Sequence, residues 1–336
     1  MANRFGNQYR IAIGTETSYG SGFTQMSAPP NPTGSVAWTD LLVHSGVMVQ
    51  TPVVNTATTT HKSLTHIDTP CEIIPTTKMG NVTVSGDATF DILKKYLTGI
   101  VKDVGEIGAN YKFFANPDDA PSFILLQLWN DTPSGSNFTV DRAIGAKLLS
   151  LEITGTSGGL IQFNANFETQ PVKREATQAI TGSDPGLICG TPLQFGDVIA
   201  TLALGNSATA LESFTIKLMN EYTADGTKFA NSRVISNPRI IRQGGEISYT
   251  CNYDSKGEEN DVDILNDPNT ILYDKLYLTP DGTIGGDYIL IIIASIPTSI
   301  ERPDTDKDYF KLNYSGRIVY DSTTTYAVDI DLSNLH

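Results

Sequence analysis

Four histidines, three cysteines and 37 carboxylates are what this chain offers for building a catalytic or metal site. His61 and His66 stand five apart in a Thr- and Pro-rich stretch, whereas two zinc ligands on one helix face need a spacing of four. Cys71 follows His66 with nothing nearby to orient an imidazole against a thiol, so the two read as chance neighbours. No Gly-x-Ser-x-Gly elbow opens a helix after a strand. The segment GTETSYGSG (14–22) has the glycine content of a phosphate loop, but it lacks the Gly-Lys-Ser/Thr ending and no helical pattern follows it. Acidic residues at 254, 258, 259, 261, 263 and 267 do not follow the calcium-loop spacing, and ERPDTDKD (301–308) is diluted by Arg302 and Lys307. Both read as solvated charge. Asn-x-Ser/Thr sites at Asn81, Asn130, Asn137 and Asn313 are what composition alone gives. Two tryptophans, Trp38 and Trp129, do not furnish the aromatic-lined cleft of a carbohydrate-active sandwich. The sequence assigns no catalytic residue, no cofactor-binding residue and no metal ligand, and the reading is not an enzyme.

The elements that would have to position any site are strands. Leu149, Leu151 and Ile153 alternate with polar residues, then Ile161, Phe163, Ala165 and Phe167 do the same. Period two puts each apolar set on one face of a strand, and GTSGG (155–159) closes the two as a hairpin. Strands are also expected over 5–13, 38–49, 81–85, 123–129, 246–253, 288–296 and 326–332. Residues 90–97 change to helical spacing, with Gly99 as the stop, and a second helix is expected after the Asp267 cap, with Ile271, Leu272 and Leu276 on its apolar face. Residues 50–79 are Thr-rich with weak alternation, the pattern of a protruding hairpin arm that needs a neighbour. Residues 171–189 read as an interdomain connection.

The strand, helix, central strand and closing hairpin of the first half have counterparts in the second. The repeat matches 81–85 with 246–253, 123–129 with 288–296, and 161–168 with 326–332. This order divides the chain into residues 1–185, carrying the arm 50–79, and 191–336. Charge divides unevenly as well: residues 1–190 hold 12 Lys and Arg against 16 Asp and Glu, residues 191–336 hold 11 against 21, and the total is −14. So acidic a surface disfavours non-specific binding to nucleic acid, which draws its affinity from Lys and Arg on phosphates. The longest apolar run, 288–294, has the length of a buried strand and not of a membrane helix. The first ten residues lack an apolar core, so no secretory signal is expected, and three scattered cysteines give no disulfide framework.

Three segments resemble the tail tube proteins (major tail proteins) of long, flexible-tailed phages: IAIGTETSYGSG (11–22), GNVTVSGDATFDILKKYLTGI (80–100), and FILLQLWND (123–131) leading into AIGAKLLSLEITGTSGGLIQFNANFE (143–168). The resemblance implies a mainly β protein of two tandem tail-tube-like β-sandwich or split-barrel domains, each with a short flanking α-helix. It implies a structural virion protein, made in the host cytoplasm, whose rings stack into the tube through which DNA is ejected. Its partners would be further copies of itself, as trimeric or hexameric rings, together with terminator, tape-measure and distal tail proteins. Genomic DNA would pass the lumen without specific binding, and no membrane is involved. The second half is either a tube domain or an immunoglobulin-like decoration. The alternative function is a sugar- or receptor-binding β-sandwich of a phage fibre or baseplate.

Overall fold

A computed structural model describes residues 9–16, 19–20, 36–37, 41–62, 68–102, 110–114, 120–130, 137–181, 190–203, 211–223, 238–252, 267, 270–282, 288–301, 311–323 and 327–333. Its strands in the first half are β1 (Tyr9–Thr15), β2 (Val36–Ala37), β3 (Leu42–His44), β4 (Val47–Lys62), β5 (Asp68–Asp87), β6 (Val101–Lys102), β7 (Asn110–Phe113), β8 (Phe123–Asn130), β9 (Asn137–Thr156), β10 (Gln162–Thr169) and β11 (Lys173–Thr181). The second half supplies β12 (Val198–Thr201), β13 (Leu211–Tyr222), β14 (Ile240–Asn252), β15 (Leu272–Leu278), β16 (Tyr288–Glu301), β17 (Lys311–Ile318) and β18 (Val328–Ser333). The protein is mainly β, and its pairings are antiparallel except that of β11 with β2.

The expected hairpin is the join of β9 and β10, with Phe163 opposite Ile153 and Ala165 opposite Leu151. β9 runs much further back than its apolar alternation suggested. Its first half pairs β8 and β11, and its second half pairs β10 and β13. The strand changes sheets near Gly145, whose φ of 59° is the left-handed region that an L side chain enters only with strain. The Gly145 N–H donates to Glu16 Oε1 at 3.0 Å, the Gly20 N–H donates to Glu16 Oε2 at 3.0 Å, and the Tyr19 ring covers the position a Cβ on Gly145 would take. The glycine-rich opening segment therefore pins a bend in a strand some 130 residues away in sequence.

The helix α1 (Phe90–Leu97) forms where its period predicted. The Thr89 side chain accepts from the Ile92 N–H at 3.3 Å, Asp91 lies in the first turn, and Phe90, Ile92, Leu93, Tyr96 and Leu97 are buried. Gly99 follows the helix for a packing reason: a Cβ there would come within 2.8 Å of Leu148. The arm is a two-stranded ribbon, β4 on β5, and only 80–87 of β5 also pair β10. Two expectations fail. The segment 173–181 is the strand β11, recruited by main-chain pairing to β9 where no apolar alternation marks it. The expected second helix is the strand β15. Leu272 and Leu276 fit either period, but buried Leu272, Asp274, Leu276 and Leu278 alternate with more exposed Tyr273, Lys275 and Tyr277.

That correction moves the repeat by one strand. In the first half β8 pairs β1 and β9, β9 then pairs β11 and β10, β10 pairs β5, and β5 pairs β4. In the second half β15 pairs β12 and β16, β16 then pairs β18 and β17, β17 pairs β14, and β14 pairs β13. So β8 corresponds to β15 and β10 to β17, not to the stretches 288–296 and 326–332. Each long strand also carries a bulge against its hairpin partner, at Leu149 in β9 and Thr298 in β16. Aligning the bulges sets Ser150-Leu151-Glu152 on Ser299-Ile300-Glu301 and Asn164 on Asn313, and the ladders then set GNVTVSGD (80–87) on GEISYTCN (245–252). Gly80 and Gly245 fall together, and in both a Cβ would strike a neighbour at under 3.0 Å.

Among the described residues two strand pairings join the halves, beside the isolated bridges of Thr89 with Pro192 and Leu160 with Gln194. β13 adds to the outer side of β9, with Lys217 opposite Glu152, and β7 adds to β18, with Tyr111 opposite Ile330. One sheet therefore runs β4–β5–β10–β9–β13–β14–β17–β16 through both halves. A single apolar core spans both halves and includes Phe163, Phe167 and Tyr96 from the first, Phe214, Tyr249 and Tyr314 from the second.

Candidate assembly edges and concave face

The side chains singled out for chemistry are scattered. His61 and Cys71 lie on the paired ribbon strands β4 and β5, while His66, Trp38 and the acidic stretches 254–266 and 302–308 lie outside the described residues. Gly155–Gly159 has the letters of a nucleophile elbow but joins two strands as a hairpin turn. Among the described residues no group of three His, Cys, Asp or Glu side chains could hold a metal ion, and no helix is long and apolar enough to cross a membrane.

Among the buried titratable groups that the sequence reading passed over are His44 and Asp274. His44 donates its Nδ1–H to the Ser45 carbonyl at 2.8 Å, which leaves Nε2 of the neutral ring to accept from the Tyr96 hydroxyl at 3.0 Å, and burial pushes its pKa down to about 4. Asp274 is 0% exposed and accepts the Ala203 N–H at 2.9 Å. Burial pushes its pKa up to about 6, against the opposing pull of the Ala203 and Tyr249 hydrogen bonds. Sealed in the core, neither group can reach a substrate. The signal for both was a polar residue at an inward position of an alternating strand.

What faces solvent is a broad trough of about 1020 Å³ on the outer face of the shared sheet, walled by β9, β13, β14, β16 and β17. One rung across it reads Glu152, Lys217, Glu246, Arg317, each opposite the next on adjacent strands. A second rung sets Glu221 opposite Arg242. Directly opposite side chains lie about 5 Å apart at Cβ, so each cation has a carboxylate beside it. The ladder is legible only from the register, because its members come from four separate parts of the chain.

The ends of the sheet complete the geometry. Among the described residues β4 pairs only β5, and β16 beyond Ser295 pairs only β17. Val47 and Val49 on β4 are 52% and 54% exposed, and Thr51, Pro52, Ser299 and Glu301 are exposed too. Open edges of this kind are sites for strand addition. No protein-family model matches the chain, and no curated protein matches it.

Proposed function

We propose that this chain is a structural virion protein whose two tandem tube-like domains assemble into stacked rings forming the tail tube of a long-tailed phage. The observation that carries this is the sheet of eight strands: one pairing pattern, used twice, joined within that sheet by β9 and β13 and, among the described residues, left open at both ends. A unit whose two ends are complementary but do not pair with each other associates head to tail, and such contacts close into rings. The trough residues support the second part of the reading. On the charged rungs each lysine or arginine stands opposite a carboxylate across the ladder, so positive and negative charge alternate along these rungs and offer phosphates no continuous cationic stripe there. Terminator, tape-measure and distal tail proteins would bind the ends of the tube, and the trough would line a lumen that DNA crosses.

Electron microscopy of the purified protein tests this. Rings and tubes are expected, with three chains per ring because each chain supplies two wall positions. Six chains per ring would place the second half outside the wall as decoration. A compact species that never assembles, even with a tail initiator complex present, would refute the tube and favour a binding module.

A further inference from the structure

The internal junction is a template. There β13 lies on β9 from Ser213 opposite Thr156 to Met219 opposite Ser150. The bulge alignment places 299–301 of β16 where 150–152 of β9 stand, and the ladders place 51–53 of β4 where 217–219 of β13 stand. We infer that the open edge of β16 takes β4 of a second copy of this chain in the register of the internal junction: Ser299 opposite Val53, Ile300 opposite Pro52, Glu301 opposite Thr51. The inference rests on the assembly reading above and names its contact. Within one copy these edges do not pair with each other among the described residues: β4 and β16 are the two ends of one strand order.

The two junctions differ at one residue that matters to pairing. Where β13 has Leu218, β4 has Pro52. Pro52 is opposite Gly80, and the Gly80 carbonyl turns toward β10, accepting from the Thr169 hydroxyl at 3.1 Å. In an antiparallel ladder a residue's N–H and C=O point to the same side, so Gly80 faces β10 and Pro52 faces the open edge. Its ring nitrogen has no hydrogen to give, so the contact between copies lacks one ladder bond that the internal junction can make. Pro52 is thus a brake set on the associating edge, of the kind that keeps exposed strands from pairing prematurely.

Cysteine pairing tests the register. Thr51 and Glu301 would form a non-hydrogen-bonded pair, whose Cβ separation suits a disulfide. The variants Thr51→Cys and Glu301→Cys, mixed under assembly conditions and oxidised, are expected to give a covalent dimer with a 51–301 peptide link found by mass spectrometry. Neither variant alone should give it, and Val49→Cys with Glu301→Cys should give none. Pro52→Leu is expected to lower the protein concentration at which rings appear by about two- to tenfold, the effect of one restored hydrogen bond. Thermal unfolding of each variant checks that it folds. Rings without the 51–301 link, or with the 49–301 link instead, overturn the register while the tube reading stands. Neither rings nor links, with an initiator complex supplied, overturns both. A Pro52→Leu threshold equal to or above the parent's removes the brake.

Discussion

Asp274 and His44 give the fold a pH response that single substitutions should separate. Asp274 is buried with a pKa near 6 against an ordinary 3.8, so the folded chain holds a proton there that the unfolded chain has released. Its contribution to stability is complete below pH 3.8 and is lost as pH rises through 6. At 1.36 kcal/mol per pKa unit the swing is about 3 kcal/mol. His44 acts with the opposite sign. Its pKa falls from 6.5 to about 4, so its contribution is complete above 6.5 and is lost as pH falls through 4. That swing is also about 3 kcal/mol. Between pH 4 and 6 the two slopes cancel, and neither group alone tilts the parent's stability curve. Asp274→Asn keeps an oxygen for the Ala203 N–H and removes the charge, exposing the histidine's slope: the variant should gain on the parent steadily from about pH 4 to 6 and no further above that. His44→Gln should do the reverse, losing ground on the parent as pH rises from about 4 to 6.5. Urea unfolding at half-unit pH steps, read as differences from the parent, measures both. If the Asp274→Asn difference is flat across the window, the aspartate is not held protonated in the folded core.

Three further outcomes follow from the packing. Phe163→Ala, whose ring lies 5.0 Å from Tyr96 and 6.0 Å from His44, should cost about 3–5 kcal/mol, while Asn164→Ser on the opposite face should cost under about 1; denaturant midpoints compare them. Gly145→Ala forces a Cβ into the left-handed region against Tyr19, and Glu16→Ala strips the acceptor from two backbone N–H groups, so each should cost about 1–3 kcal/mol in the same assay. Hydrogen exchange should show the ribbon 50–79 slowing when the protein enters tubes, and equal protection in monomer and assembly would show that the ribbon has no partner there.

The sequence by itself determined whatever depends on near neighbours. Period two in 149–153 and 161–167 marked the hairpin, and the spacing of Ile92, Leu93, Tyr96 and Leu97 located the helix, because a burial pattern three or four residues long already states which face is inside. It could not decide 272–278, where Leu272 and Leu276 satisfy both periods until a neighbouring strand supplies main-chain partners. β11 was invisible for the same reason: pairing with β9, not apolar content, makes it a strand. The repeat was legible as an idea and misplaced by one strand, since element order cannot fix correspondence when one element is misread. Only the tertiary structure decided the register, and the register carries every feature on which the proposed assembly rests: the charged rungs, the matched bulges, the open edges of β4 and β16, and the outward nitrogen of Pro52. Register is set by long-range pairing between segments up to about 220 residues apart, as Tyr111 with Ile330, and no local pattern contains it.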